Sequence, residues 1–203
     1  MKINEIEATL QPGQKEIVSD QDEHKYIELI QTNCSDAVRA IQDSGFLYRG
    51  VGDNSAPDIF KGRSREDRQS LSGADAQQEM FDKIITNYGF KANRSNSIFC
   101  SGDKYQSRSY GELYLIFPIN GYNLLWSEKI RDFVHHSDDF YGDAKRALHS
   151  NNPKDAMDQL IKYYKIRDDS LAPAILSHKE ILINGSYYAF SYKKYAMFFK
   201  TYL

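Results

Sequence analysis

Apolar positions change rhythm along this chain, from helical spacing near its start to short dense runs after residue 95. Tyr26, Ile27, Ile30, Ala37, Val38 and Ile41 recur three and four residues apart, and the Asn33-Cys34-Ser35-Asp36 cluster predicts a break into two helices, Ser35 or Asp36 capping the second. Gly45 ends that stretch, and residues 46–49 read as a short strand. Residues 50–75 are rich in Gly, Ser, Asp and Arg without either period, which predicts a long surface loop. A helix over 77–88 stops at Gly89. Strands are predicted over 97–100, over 112–117 closed by Pro118, and over 122–126. Residues 129–135 and 144–148 read as helical. The most regular helix covers 153–166, with Pro153 in its first turn and Ala156, Leu160, Ile161 and Tyr164 on one face. A polar connector over 167–173 leads to a strand over 180–183 and a Tyr/Phe-dense strand or hairpin partner over 186–199. Residues 1–20 read as a loosely ordered or capping segment. Helices first, strands mostly later, with helices inserted, define an α+β class. The length fits a single domain over 1–203, divided into a helical segment (1–45) and a core (46–203).

Composition narrows the function classes. Of 203 residues 41% are hydrophobic, enough for a packed core rather than a disordered chain. A formal charge of −2 argues against gripping nucleic acid mainly through a basic surface. Cys34 and Cys100 are too few for a disulfide framework. His135 and His136 beside Asp138 and Asp139 fit no metal-ligand spacing, so no metal site is expected. Neither a dinucleotide-binding glycine fingerprint nor a phosphate-binding Walker string is present. Residues 1–23 contain no apolar run of signal-peptide or membrane-span length, so a cytosolic protein without membrane contact is expected.

Three strings carry candidate chemistry: Phe46-Leu47-Tyr48-Arg49-Gly50, Ser97-Ile98-Phe99-Cys100-Ser101, and His178-Lys179-Glu180-Ile181-Leu182-Ile183. Each places one polar group at a strand or strand end. An arginine at a strand end forks onto phosphate or carboxylate with two parallel hydrogen bonds, and the following glycine permits close approach to the backbone. Arg63, Arg65 and Arg68 downstream read as a solvated charge run or as further phosphate contacts. Ser97, Phe99 and Ser101 share one strand face because side chains alternate.

In order and spacing these strings resemble the arginine–serine–glutamate class of ADP-ribosyltransferases, which split NAD at its nicotinamide–ribose bond. The resemblance spans about residues 46–190 and implies a split, mostly antiparallel β-sandwich with N-terminal and inserted helices, holding NAD between its sheets. It implies that Arg49 holds phosphate or the adjacent ribose, with Tyr48 and Gly50 beside the nicotinamide amide. Phe99 matches the family's strand aromatic and Ser101 its first serine, which orients the catalytic glutamate; Ser97 is the alternative register. Gly102 and Asp103 stand where the family has Thr-Ser. Tyr105 or Tyr110 matches an aromatic near the nicotinamide ring. Glu180 matches the catalytic glutamate, whose carboxylate stabilises the oxocarbenium-like transition state. His178 takes the acceptor-handling position, where the family has Glu or Gln, and 167–177 corresponds to the acceptor-recognition loop, made acidic by Asp168 and Asp169.

The texture of the chain, with its Tyr-rich strands, Arg94-Ser95-Asn96-Ser97-Ile98-Phe99-Cys100 and Tyr110-Gly111-Glu112-Leu113-Tyr114-Leu115-Ile116-Phe117-Pro118, also resembles small proteins of tailed bacteriophages. That similarity implies transfer of ADP-ribose to a macromolecule in the host cytoplasm, a host protein first, with a nucleic acid acceptor left open. Two alternatives stand beside it: an NAD glycohydrolase using water, and a non-enzymatic protein that keeps the fold and binds a host or virion partner. The Gly102-Asp103 departure points towards the second.

Overall fold

The computed structural model describes residues 10–18, 23–52, 55–69, 75–133 and 138–203. In chain order these form β1 (Lys15–Ile17), α1 (Glu23–Asn33), α2 (Ser35–Ser44), β2 (Tyr48–Val51), β3 (Ile59–Arg63), α3 (Asp75–Asn87), β4 (Ile98–Ser101), α4 (Lys104–Arg108), β5 (Glu112–Pro118) and β6 (Asn123–Ser127). The remainder forms α5 (Asp138–Leu148), α6 (Pro153–Tyr164), β7 (Ile166–Arg167), α7 (Leu171–Leu176), β8 (Glu180–Asn184), β9 (Ser186–Ser191) and α8 (Tyr192–Tyr202). The protein is α+β, and every strand pairing in it is antiparallel.

The strands run in the order β1-β3-β9-β5-β2-β4-β8-β6-β7. Hydrogen bonding therefore makes one nine-stranded sheet rather than two separate ones, but it narrows sharply in the middle. β2 pairs with β5 over four residues, whereas its pairing with β4 is the single rung Tyr48↔Ser101. The halves meet again through the chain itself. β8 and β9 are consecutive but lie in different halves, linked only by Gly185. Its φ of +138° is one that a side chain rarely permits, and its N–H donates to Ser64 Oγ at 3.1 Å.

Alternation along the strands assigns the two cores. In β8, Ile181 and Ile183 join one buried cluster and Leu182 the other; in β6, Leu124 and Trp126 oppose Leu125. The first cluster gathers residues of α1, α2, α7 and α8, and the second gathers Phe81, Ile85, Phe140, Leu160 and others from α3, α5 and α6, with Phe133 from the turn after β6. Both faces of the β4–β8–β6 region are thus covered, which explains why its strands read as unbroken apolar runs. Each fully buried phenylalanine contributes roughly 1.5–3 kcal/mol by its removal from water.

Several expectations are corrected. The supposed loop over 50–75 contains β3, whose Ile59 and Phe60 are buried between β1 and β9. Two apolar residues followed by Lys61-Gly62-Arg63 are too short a signal for a strand, and only its neighbours specify it. The run 186–199 is a strand that becomes a helix at Tyr192, because Tyr195, Ala196 and Phe199 meet the first core at helical spacing. Residues 129–133 are not helical: Ser127 Oγ accepts from the N–H groups of Lys129 and Ile130 and pulls the chain into a turn. Within residues 1–20, β1 is an edge strand rather than a loose segment. The break at Cys34 is as expected, but neither Ser35 nor Asp36 caps α2. Asn120 does, accepting from Asp36 N at 3.2 Å across the fold. His135 and His136 lie outside the described residues.

Two glycines separate backbone need from mere tolerance. A Cβ at Gly102 would lie 1.9 Å from the carbonyl oxygen of Ile175, whereas one at Gly142, inside α5, would meet nothing closer than Arg146 Nη1 at 3.7 Å. In urea unfolding, Gly102→Ala should lose about 2–3 kcal/mol through forced overlap of backbone. Gly142→Ala should gain about 0.5–1 kcal/mol through helix propensity.

Candidate active site

Where β2 and β4 part, the sheet opens a cavity of about 370 Å³, lined among others by Arg49, Arg68, Arg94, Ser101, Asp132 and Glu180. The three residues singled out from the strings therefore meet in one place. Arg49 comes from β2, Ser101 from the end of β4 and Glu180 from the start of β8, with Ser101 and Glu180 in direct register and so on the same face. Arg49 Nη1 donates to the carbonyl of Phe99 at 3.3 Å, so a side chain supplies the rung that the diverging strand no longer makes.

Glu180 is 5% exposed and is held by an arginine outside the three strings. Arg94 Nη1 donates to both of its carboxylate oxygens, at 2.8 and 2.9 Å, and Phe133 N–H donates to Oε2 at 2.7 Å. The Glu180 backbone N–H donates to Arg131 O at 2.9 Å, so residues 131–133 wrap both ends of the residue. Arg94 is itself fixed by α3. The Asp82 carboxylate accepts from the N–H groups of Arg94 and Ser95 at 2.7 and 3.0 Å. Asn93 and Asn96 close the turn by bonding each other's backbone N–H.

Electrostatics at the site is a contest between burial and partners. Burial pushes the Glu180 carboxyl above the ordinary glutamate range, opposed by Arg94 and by the Phe133 N–H and reinforced by Asp132. Asp82 is likewise raised by burial, against the hydrogen bonds it accepts. Burial drives the Cys100 thiol up to about 12, so it is not a nucleophile near neutral pH. Buried polar atoms without a hydrogen-bond partner among the described residues include Arg94 Nε, Gln78 Oε1 and Gln106 Oε1, all from residues that line the cavity.

The other expected residues divide. Phe99, Gly50 and Tyr110 line the cavity, and burial raises the Tyr110 hydroxyl. Gly50 is needed for a different reason from ligand approach: a Cβ there would lie 2.1 Å from Ser107 O, in the α4 backbone that fills the gap beside β2. Ser101 lines the cavity and Ser97 does not; the Ser97 hydroxyl is buried against Asn96. Ser101 makes no hydrogen bond to the glutamate among the described residues: its Oγ accepts from Asp103 N at 3.0 Å, and the bonds to Glu180 come from Arg94 and Phe133. Tyr48 packs its ring on Phe46 and Tyr192, away from the cavity. Tyr105 is 75% exposed, with its N–H in the Asp103 cap of α4. His178 is exposed at a left-handed turn (φ +56°) and does not line the cavity. Asp169 is occupied by Arg167.

No spacing within the chain points to Arg94, which meets Glu180 across 86 residues. The polar run Asn93–Asn96 ahead of an apolar strand was the one available hint. Comparison with protein-family models, with curated proteins and with solved structures returns no match. No helix among the described residues is long and apolar enough to cross a membrane.

Arg94→Met strands a buried carboxylate and should cost about 3–5 kcal/mol near neutral pH. Because the folded-state pKa of Glu180 is raised and rises further without Arg94, the group's contribution is greatest in acid and is lost as pH increases through that value. Urea unfolding at about pH 5 and about pH 8 should therefore show the variant more impaired at the higher value. Equal deficits at both would show that the protonation of Glu180 does not set the cost.

Proposed function

We propose that this protein is a mono-ADP-ribosyltransferase that cleaves NAD at the nicotinamide–ribose bond and passes ADP-ribose to a macromolecular acceptor. The observation that carries the reading is the convergence of Arg49, Ser101 and Glu180, from three adjacent strands, on one cavity. The cavity volume falls within the roughly 300–1,000 Å³ of small-molecule pockets. Its donor and acceptor set also suits the ligand: guanidinium groups for phosphate, and the unpartnered Gln78 and Gln106 carbonyls for hydroxyl or amide donors.

In this reading Arg49 anchors phosphate and Glu180 stabilises the ribosyl cation that develops as the C1″–N bond breaks. The bonding pair leaves with nicotinamide, which becomes neutral, so no general acid is required. The acceptor's lone pair then forms the new bond to C1″, and its proton is released to solvent. The glutamate must be ionised to do this. Arg94 is then the group that opposes burial and favours the charged form. Ser101 shapes the wall beside the carboxylate instead of orienting it.

A second reading, a protein that binds a dinucleotide or a partner without turnover, draws on one specific observation: Arg94 already engages both oxygens of Glu180. Incubation with labelled NAD and a cell lysate distinguishes the possibilities. A transferase labels a macromolecule, a glycohydrolase releases free ADP-ribose, and a binder does neither. In the transferase, Glu180→Gln should lower turnover by about a hundredfold or more while leaving NAD affinity nearly unchanged, because that interaction strengthens mainly in the transition state. Undiminished turnover in the variant would refute the role of Glu180. Arg49→Lys should weaken NAD binding at least about tenfold by removing the fork. An unchanged dissociation constant would make Arg49 structural.

A further inference from the structure

Phe99 is the meeting point of three guanidinium groups. Arg68 Cζ lies 3.6 Å and Arg94 Cζ 4.2 Å from its ring centroid, while Arg49 bonds its carbonyl oxygen. All three arginines line the same cavity, whose described lining holds two carboxylates, Asp132 and Glu180, against them. Their situations differ. Arg94 is committed to Glu180. Arg49 and Arg68 make no ion pair with a carboxylate among the described residues.

Arg68 is not a loose surface side chain. Its N–H donates to Ser95 O at 2.9 Å, and its carbonyl accepts from Gln78 Nε2 at 2.6 Å, so the backbone is pinned on both sides. Arg65, in the same segment, shows the contrast: it is exposed and paired with Asp67. Burial, followed by the neighbouring charges of Arg49 and Arg94, lowers the Arg68 guanidinium to about 10. A pre-positioned, half-buried cation facing other cations is stabilised most by an anion that bridges them.

We infer that Arg68 and Arg49 form an anion subsite, organised by Phe99, that takes the phosphate group of a phosphorylated ligand. Gln78 and Gln106, whose carbonyl oxygens have no hydrogen-bond partner among the described residues, line the same cavity. The assignment rests on the reading of this cavity as a ligand site, not on any turnover in it. It separates Arg68 from the run Arg63–Arg65–Arg68: Arg63 donates to Leu10 O and Arg65 pairs with Asp67, which leaves Arg68 for the ligand.

Calorimetric titration of the full chain with inorganic pyrophosphate at low salt tests the subsite. Pyrophosphate should bind the wild-type protein and raise its thermal midpoint. Arg68→Gln should weaken binding about tenfold or more. Arg68→Lys, which keeps the charge but loses the planar fork, should fall between them, and Arg65→Gln should bind like wild type. Without pyrophosphate, Arg68→Gln should unfold no earlier than wild type, since it removes a repelling charge; early unfolding would mark Arg68 as a structural residue. Absence of pyrophosphate binding, or equal binding by Arg68→Gln and wild type, would overturn the inference. Turnover of NAD with no Arg68-dependent anion binding would sink this subsite and spare the transferase reading. Arg68-dependent binding without NAD turnover would do the reverse.

Discussion

The site depends on a sheet that almost fails to close. Between β2 and β4 only Tyr48 and Ser101 pair, and beyond them the strands diverge. Divergence leaves backbone groups to be satisfied by other means. Arg49 reaches across to the Phe99 carbonyl, and α4 fills the gap so tightly that Gly50 has no room for a side chain. The same divergence makes the cavity. Had the ladder continued, that space would be filled by paired strands. The kink at Gly185 completes the arrangement by carrying the chain from β8 in one half to β9 in the other.

A carboxylate placed at such an opening is difficult to keep charged. Glu180 sits on the face of the second hydrophobic cluster, nearly shielded from water. Burial alone would neutralise it. Arg94 and the Phe133 N–H oppose that, and each is supported in turn: Arg94 by Asp82 on α3, Phe133 by the turn that Ser127 initiates. The site is thus built from α3, β8 and the segment after β6, and not from the three strands alone. A single ion pair connects parts of the fold that are far apart in the chain.

Gly102 and Asp103, where the resemblance would have Thr-Ser, have local structural explanations. Gly102 passes against the carbonyl of Ile175 in α7, and the Asp103 side chain accepts from the N–H groups of Tyr105 and Gln106 at the start of α4. These two residues serve the packing of α7 and α4. Ser101 keeps its place on the cavity wall, although Arg94 has the orienting task that the resemblance gave to a serine.

What was legible from residue order alone was local. Helical spacing and Pro153 marked α6, dense apolar runs marked β4, β5, β6 and β8, and an arginine, a serine and a glutamate at strand ends marked the residues worth following. Those features arise within one turn or one strand, where periodicity and capping act. The tertiary structure decided the rest, because the deciding forces act between distant segments. β3 is a strand because β1 and β9 flank it, and Tyr192–Tyr202 is a helix because its aromatic residues fit the first core. Arg94 matters because desolvation of Glu180, 86 residues away, requires a cation there, and no spacing within either segment encodes that requirement.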